Sequence, residues 1–195
     1  MADTKLSAMT ALAALADEDL LYAVDDPAGT PAEKKITAKV LKAYIGLPQL
    51  MHVSERYATT TNAPGSAAAT WNVRVLNTTD VNQITGASLG SSQVTLPAGT
   101  YRVRAWAGAI DLDRHQLRLR NVTDGATVAN GTSELSNNSD YSLTNSLLYG
   151  RFTIAGTKVF ELQHYTELSG GLLGNATGDG EVEVYAQMVI EREPD

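Results

Sequence analysis

Cysteine is absent from the 195 residues, which excludes disulfide staples, thiol nucleophiles and thiolate metal sites and leaves packing, within or between subunits, as the source of stability. No apolar run approaches the ~20 residues that a membrane-spanning helix requires. The start, Met1-Ala2-Asp3-Thr4-Lys5, has neither the basic end nor the continuous apolar block of a secretory signal, so a soluble chain folding in a cytosol is expected. Basic residues are outnumbered, 15 Lys and Arg against 22 Asp and Glu, and the resulting net charge of −7 disfavours nucleic acid as a partner. Histidine is scarce as well. His52, His115 and His164 each sit in a separate strand-like context, with no H-E-x-x-H spacing, no serine-centred nucleophile elbow and no carboxylate pair set across a cleft. The expectation is a protein that is not an enzyme, with no catalytic residue, no cofactor and no metal.

With 43% hydrophobic and 19% charged residues the chain has the composition of a globular domain. Two stretches differ in usage, and the expected division is 1–46 and 47–195. The first is rich in Ala, Leu, Asp and Lys. Leu6, Met9, Leu12 and Leu15 recur every third residue, as a loose helix or an extended apolar strip, and Leu20-Leu21-Tyr22-Ala23-Val24 reads as a strand. Asp25-Asp26-Pro27-Ala28-Gly29 is a turn signal, after which Lys35-Ile36-Thr37 returns as the second arm of a hairpin. Thr37 can cap a helix over Ala38–Ile45, with Gly46 as its stop and Pro48 beyond. A strip, a hairpin and one short helix bury too little surface for reliable stability alone, so this segment is built to dock.

From Leu50 the pattern becomes short alternating strands between Gly, Asn, Asp, Ser and Pro clusters. Trp71-Asn72-Val73-Arg74-Val75 places its apolar residues on one face, and Tyr101-Arg102-Val103-Arg104-Ala105 repeats the period of two with arginines opposite. Leu117 and Leu119 alternate with Arg118 and Arg120. Leu148, Gly150, Phe152 and Ile154 form one face of another strand, and Phe160, Leu162 and His164 of a further one. The closing segment puts Val182, Val184, Ala186, Met188 and Ile190 on one face and Glu183, Tyr185, Gln187 and Glu191 on the other. Many strands and frequent turn signals predict a mainly β domain, a sandwich or barrel.

Several clusters invite a chemical reading. Asp111-Leu112-Asp113-Arg114-His115 offers alternate acids, but the glycine and terminal glutamate of a calcium loop are missing, so it reads as a charged loop leading into a strand. Glu161 and Glu183 with Arg102, Arg104, Arg118, Arg120 and Arg151 could form a glycan patch, and read more simply as the solvated or interfacial face of a sheet. The glycines over 170–180 do not open a helix after a strand, which excludes a phosphate cradle and leaves a long loop. Trp71, Trp106 and Tyr185 read as core or subunit-interface anchors.

Val94-Thr95-Leu96-Pro97-Ala98-Gly99-Thr100-Tyr101-Arg102-Val103 resembles the Pro-x-Gly-x-Tyr-x-Val strand start of the tumour-necrosis-factor and C1q-like jelly rolls, including those of phage fibre tips. His115-Gln116-Leu117-Arg118-Leu119, Gly150-Arg151-Phe152-Thr153-Ile154 and Glu183 to Ile190 are similar to further strands of that domain, in the same order. The start of the chain, from Lys5-Leu6-Ser7 through Leu15 to Asp26 and on to Lys34-Lys35-Ile36-Thr37, is similar to N-terminal segments by which phage fibre and head-associated proteins attach to the virion. The resemblance implies a C1q/TNF-like jelly-roll head behind a small strip, hairpin and helix anchor. It implies a homotrimer, with Trp71, Tyr101, Trp106, Phe152 and Tyr185 in its core or interface. Leu6, Leu12, Leu15, Leu20 and Val24 would be the apolar residues that dock on capsid, neck or tail. Such a protein is a short fibre, spike or capsid decoration, made in the host cytoplasm and carried on the virion. A host-surface glycan or protein is a further partner, with no nucleic acid and no membrane involved. The alternative is a stand-alone glycan-binding jelly-roll module, which has less use for an undocked apolar segment.

Overall fold

The computed structural model describes residues 20–25, 32–37, 48–137, 139 and 141–194. The chain divides into two units, Met1–Leu47 and Pro48–Asp195. In the first, β1 (Leu20–Asp25) pairs antiparallel with β2 (Ala32–Thr37), Leu20 opposite Thr37 and Asp25 opposite Ala32, which is the expected hairpin. The strip at Leu6, Met9, Leu12 and Leu15 and the helix expected over Ala38–Ile45 lie outside the described residues.

The second unit is built from β3 (Gln49–Tyr57), β4 (Thr70–Val73), β5 (Thr78–Asn82), β6 (Ser88–Gly90), β7 (Gln93–Leu96), β8 (Gly99–Ile110), β9 (Asp113–Asn121), β10 (Ala126–Ser136), β11 (Leu143–Ile154), β12 (Lys158–Thr166) and β13 (Glu183–Arg192). One hydrogen-bonded path runs β5-β3-β13-β8-β11-β10-β9-β12-β7-β6, with β4 added on β12. The path folds into two layers, and β10 joins them. It pairs along β9 on one side and meets β11 through Gly131 and Leu148 on the other.

Alternation dictates what lies between the layers. Tyr101, Val103, Ala105 and Ala107 of β8, Leu117 and Leu119 of β9, Leu148 and Ile154 of β11, Phe160 and Leu162 of β12, and Met188 and Ile190 of β13 form the main core. Tyr101 stacks on Phe152 with centroids 5.6 Å apart, and Phe152 meets Phe160 at 5.1 Å. The Pro97-Ala98-Gly99-Thr100-Tyr101 turn closes on itself, because the Tyr101 hydroxyl donates to the Pro97 carbonyl at 2.8 Å. Gly99 permits this. Its φ of 155° is reached readily by glycine, and a Cβ there would stand 3.3 Å from the Tyr101 hydroxyl and 2.8 Å from Arg192 Nε.

Two expectations fail on strand phase. In the segment from Trp71 to Val75 the structure buries Arg74 completely and leaves Val73 39% exposed. The reason is that β4 is a four-residue edge strand paired to β12 alone, with Trp71 opposite Tyr165 and Val73 opposite Gln163 on the outer face. The chain turns inward only where the strand ends, at Arg74. In β13 the register to β3 slips between Val184 and Ala186. This bulge changes which face the side chains take. Beyond it Glu183 and Tyr185 point inward while Val182 is exposed, and Tyr185 and Ala186 are both buried.

A second, smaller apolar cluster sits under the loops, formed by Ala63, Ala109, Leu112, Leu173 and Tyr185. The Tyr185 ring packs near Tyr57 at 5.8 Å, and its hydroxyl donates to the Thr61 carbonyl at 2.7 Å. Gly174 lies flat on that ring, so that a Cβ would stand 2.1 Å from Tyr185 Cδ1. Because the ring is held at both ends it cannot retreat. Gly174→Ala is expected to destabilise this unit by about 1–3 kcal/mol, the range for overpacking. Urea denaturation with Gly178→Ala alongside, at a glycine of φ 67° whose Cβ would meet only Thr60 Cγ2 at 3.5 Å, separates crowding from backbone strain.

Candidate functional site

Between the two apolar clusters lies a polar layer. β8 contributes Ala107 to the main core and Ala109 to the smaller cluster, and the Gly108 carbonyl between them accepts a hydrogen bond from Arg74 Nη1 at 3.3 Å. Arg74 Nε donates to Glu55 Oε2 at 2.8 Å, and Nη2 donates to the carbonyls of Leu173 at 2.9 Å and Tyr185 at 3.1 Å. One guanidinium thus joins β3, β8, β13 and the loop after β12. Burial pushes the Glu55 carboxyl up and the Arg74 guanidinium down, each toward its neutral form, and the ion pair opposes both shifts.

The same layer holds His164, fully buried, and His115, 2% exposed. His164 Nδ1 faces Arg74 Nη1 at 3.5 Å, His164 Nε2 lies 2.9 Å from His115 Nδ1, and His115 Nε2 lies 2.7 Å from Thr144 Oγ1. Thr144 Oγ1 is 3.2 Å from the Leu135 carbonyl, to which it donates. The protons are therefore ordered. A guanidinium only donates, so His164 Nδ1 is an acceptor and its Nε2 carries the hydrogen that bonds to His115 Nδ1. His115 Nε2–H then donates to Thr144, which agrees with Thr144 spending its own hydrogen on Leu135. Burial, with Arg74 close by, holds His115 down to about 4 and His164 well below the ordinary histidine value. The sequence suggested three dispersed histidines, and two of them are in contact. Both fall on the inward phase of their strands, and the β9–β12 register sets Thr166 opposite His115 and Leu117 opposite His164, which makes the histidines diagonal neighbours.

Glu183, read as a patch acid, is a loop clasp. Its carboxylate accepts from the backbone N–H groups of Thr60, Thr177 and Gly178 at 3.0–3.2 Å, and these bonds, led by Gly178, hold its pKa below the usual carboxylate value. Asp111 and Asp113 have positive φ, 55° and 58°, at the tight turn from β8 to β9, with Leu112 buried between them. Among the described residues no three His, Cys, Asp or Glu side chains converge as ligands for a metal.

The remaining sequence-selected residues separate into the interior and two outer faces. Tyr101, Phe152 and Tyr185 are interior. On the outer face of β9 and β12, Arg118 stands 4.0 Å over the Trp71 ring, which meets Tyr165 at 5.6 Å. Arg118 donates to Gln163 Oε1, Gln163 donates to Glu161, and Gln93 donates to the other oxygen of Glu161. On the outer face of β13, β8 and β11, Arg102 and Arg151 both donate to Glu193, holding its carboxyl down to about 2, and Arg104 pairs with Glu191. Further along that face Trp106 donates to Gln187 at 3.1 Å. Trp106, Leu147, Tyr149 and Val189 surround a depression of about 310 Å3. Leu143, Leu147 and Tyr149 project into solvent, Tyr149 at 66% exposure.

A continuous path of antiparallel strands folded into two layers, with the closing strand β13 between β3 and β8 in the middle of one of them, is the wiring of a known class. Among solved structures, murine APRIL at pH 8.5 matches with a TM-score of 0.50 at 7% identity, covering 75% of this chain and 99% of that one. The second unit is a C1q/TNF-like jelly roll. The globular domain of zebrafish complement 1qA protein aligns at TM-score 0.45 and 13% identity over 75% of this chain and 96% of that one. PRD1 vertex protein P5 aligns at 0.47 and 14% over 75% and 97%. At such identities a likeness concerns the fold alone. No protein-family profile and no curated protein sequence matches the chain. The jelly roll accounts for the Pro97 to Val103 motif as the start of β8, and for the other three quoted segments as parts of β9, β11 and β13.

Proposed function

We propose that this chain is a virion structural protein, a short fibre, spike or capsid decoration. Residues 1–46 attach it to capsid, neck or tail, and its jelly roll assembles as a homotrimer and faces outward. It performs no catalysis, is made in the host cytoplasm and resides on the virion. The observation that carries the assembly is the outer face of β13, β8 and β11. Leu147 and Tyr149 lie beside Trp106, with Leu143 exposed further along the same face of β11, and apolar area rimmed by ion pairs marks a contact surface. Support for attachment comes from the N-terminal resemblance together with the Leu6, Leu12, Leu15, Leu20 and Val24 set, too small for a core of its own. Three copies would bring three attachment segments together, which makes the second and third engagements intramolecular.

Light scattering of the purified chain is expected to give three times the 20.8 kDa subunit mass. Tyr149→Lys with Leu147→Lys, at exposed positions that leave the core alone, is expected to give a folded monomer. Deleting residues 1–46 is expected to keep the trimer and abolish its joining to particles made without the full-length protein. A folded wild-type monomer at micromolar concentration would refute the assembly, and normal joining by the deleted form would refute the attachment role.

A further inference from the structure

The outer face of β9, β10 and β12 has two parts with opposite character. In the first, described above, Gln93, Glu161, Gln163 and Arg118 spend their polar atoms on one another. In the second, Tyr165, Gln116, Ser133, Glu134, Leu135 and Arg114 line a cleft of about 520 Å3, within the size range of small-molecule sites. Here the Tyr165 hydroxyl, Ser133 Oγ and Gln116 Oε1 take no hydrogen bond from the described residues. Gln116 Nε2 donates to the Gly131 carbonyl at 2.9 Å, which fixes the amide. The β9–β10 register breaks between Asn130 and Ser133, beside this cleft, and such irregularities re-aim side chains next to sites. Leu135 is 56% exposed, on the opposite phase of β10 from the buried Ser136.

We propose that this cleft binds a neutral pyranose unit of a glycan. A pyranose has an apolar C–H face and a rim of hydroxyls. The apolar face suits the Tyr165 ring and Leu135, and the rim suits the free groups of Gln116, Ser133 and the Tyr165 hydroxyl. The Tyr165 ring is already immobilised against Trp71, itself held under Arg118, so little order remains to be imposed on binding. Charge selects against other occupants. Arg114 lies within 3.5 Å of Glu167, and the remaining charged residue of the lining, Glu134, is an acid, which leaves no surplus positive charge for a phosphate or a sialic acid. An aliphatic ligand would strand the three unpaired polar groups.

The inference rests on the proposed trimer in that β13, β8 and β11 meet other copies and leave this face outward. The test is saturation-transfer NMR of the full-length chain with maltose, cellobiose, lactose and N,N′-diacetylchitobiose, with 3′-sialyllactose and inorganic phosphate as charged counterparts. At least one neutral disaccharide is expected to give a signal that Ser133→Trp, which fills the cleft from an exposed position, abolishes. Gln116→Ala is expected to weaken it at least tenfold. Silence from all four neutral sugars, a signal unchanged in Ser133→Trp, or binding of the sialylated sugar alone would overturn the proposal. Light scattering on the same samples keeps the readings apart. A trimer without sugar binding defeats only the site, and a monomer that binds defeats only the assembly.

Discussion

Arg74→Ala is expected to cost about 3–5 kcal/mol of unfolding free energy, the range for breaking one side of a buried ion pair. The loss has two sources. Glu55, 1% exposed, is left without its partner and must either stay charged and unpaired or take up a proton, and the carbonyls of Gly108, Leu173 and Tyr185 lose a donor in the buried layer. Because Arg74 is the common partner of β3, β8, β13 and the loop after β12, the loop should loosen before the main core does. Hydrogen exchange over 168–182 would show this. Arg74→Lys keeps the charge and loses the fork that serves Glu55 and three carbonyls at once, so it should recover only part of the stability. Arg74→Met combined with Glu55→Leu should be less damaging than Arg74→Met alone, since removing both charges leaves neither stranded. A loss under 1 kcal/mol for Arg74→Ala in guanidinium denaturation would mean that the layer is not a structural tie.

Acid is the second strong perturbation. His115, held at about 4, and His164, also well below 6.5, bind protons less readily folded than unfolded. Stability therefore falls as pH drops from the unfolded value near 6.5 toward the folded values, and the histidine contribution is gone below them. Geometry gives the cause. A proton added at His115 Nδ1 meets His164 Nε2–H, and one added at His164 Nδ1 meets Arg74. Glu134, the acid nearest His115, offsets part of this, and Glu55, whose carboxyl burial pushes up, titrates with the opposite sign. Glu193 contributes only between its ordinary value of 4.5 and about 2, outside the range from pH 7 to pH 4.5. Between pH 7 and pH 4.5 the unfolding free energy is expected to fall by about 2–4 kcal/mol. His164→Asn is expected to lower stability at pH 7 and flatten that slope. An unfolding free energy constant from pH 7 to pH 4.5 in the wild-type chain would show that the ordered protons are not what holds the layer.

Much of this architecture was readable because alternation is a local property. Val103 and Ala105 in β8, Leu117 and Leu119 in β9, and Phe160 and Leu162 in β12 each declare their inward face within a few residues. Arg74 was not readable, since its burial depends on where a short edge strand stops. Nor was the inversion at Glu183 and Tyr185, which a single bulged residue produces without a glycine or proline to mark it. The phase of His115 and His164 was legible, but their contact was not, because it depends on the register of two strands whose histidines are 49 positions apart. The free polar groups of the cleft could not be told from the self-paired ones beside them, since Gln116 and Gln163 are equivalent until their partners are known.

In the jelly roll, Gln49 at the start of β3 is the direct partner of Arg192 at the end of β13, whereas Tyr57 and Glu183 pair at the other end. The longer connections 58–69 and 167–182 gather at that other end with the turn from β8 to β9 and the start of β11, and β8 alone spans twelve residues, about 40 Å of extended strand. A tag fused behind β13 therefore emerges beside the point where the chain comes in, and an epitope inserted into 58–69 is displayed a full strand length away. Two antibodies, one against each, would read out in a single micrograph which end of the jelly roll is turned toward its support.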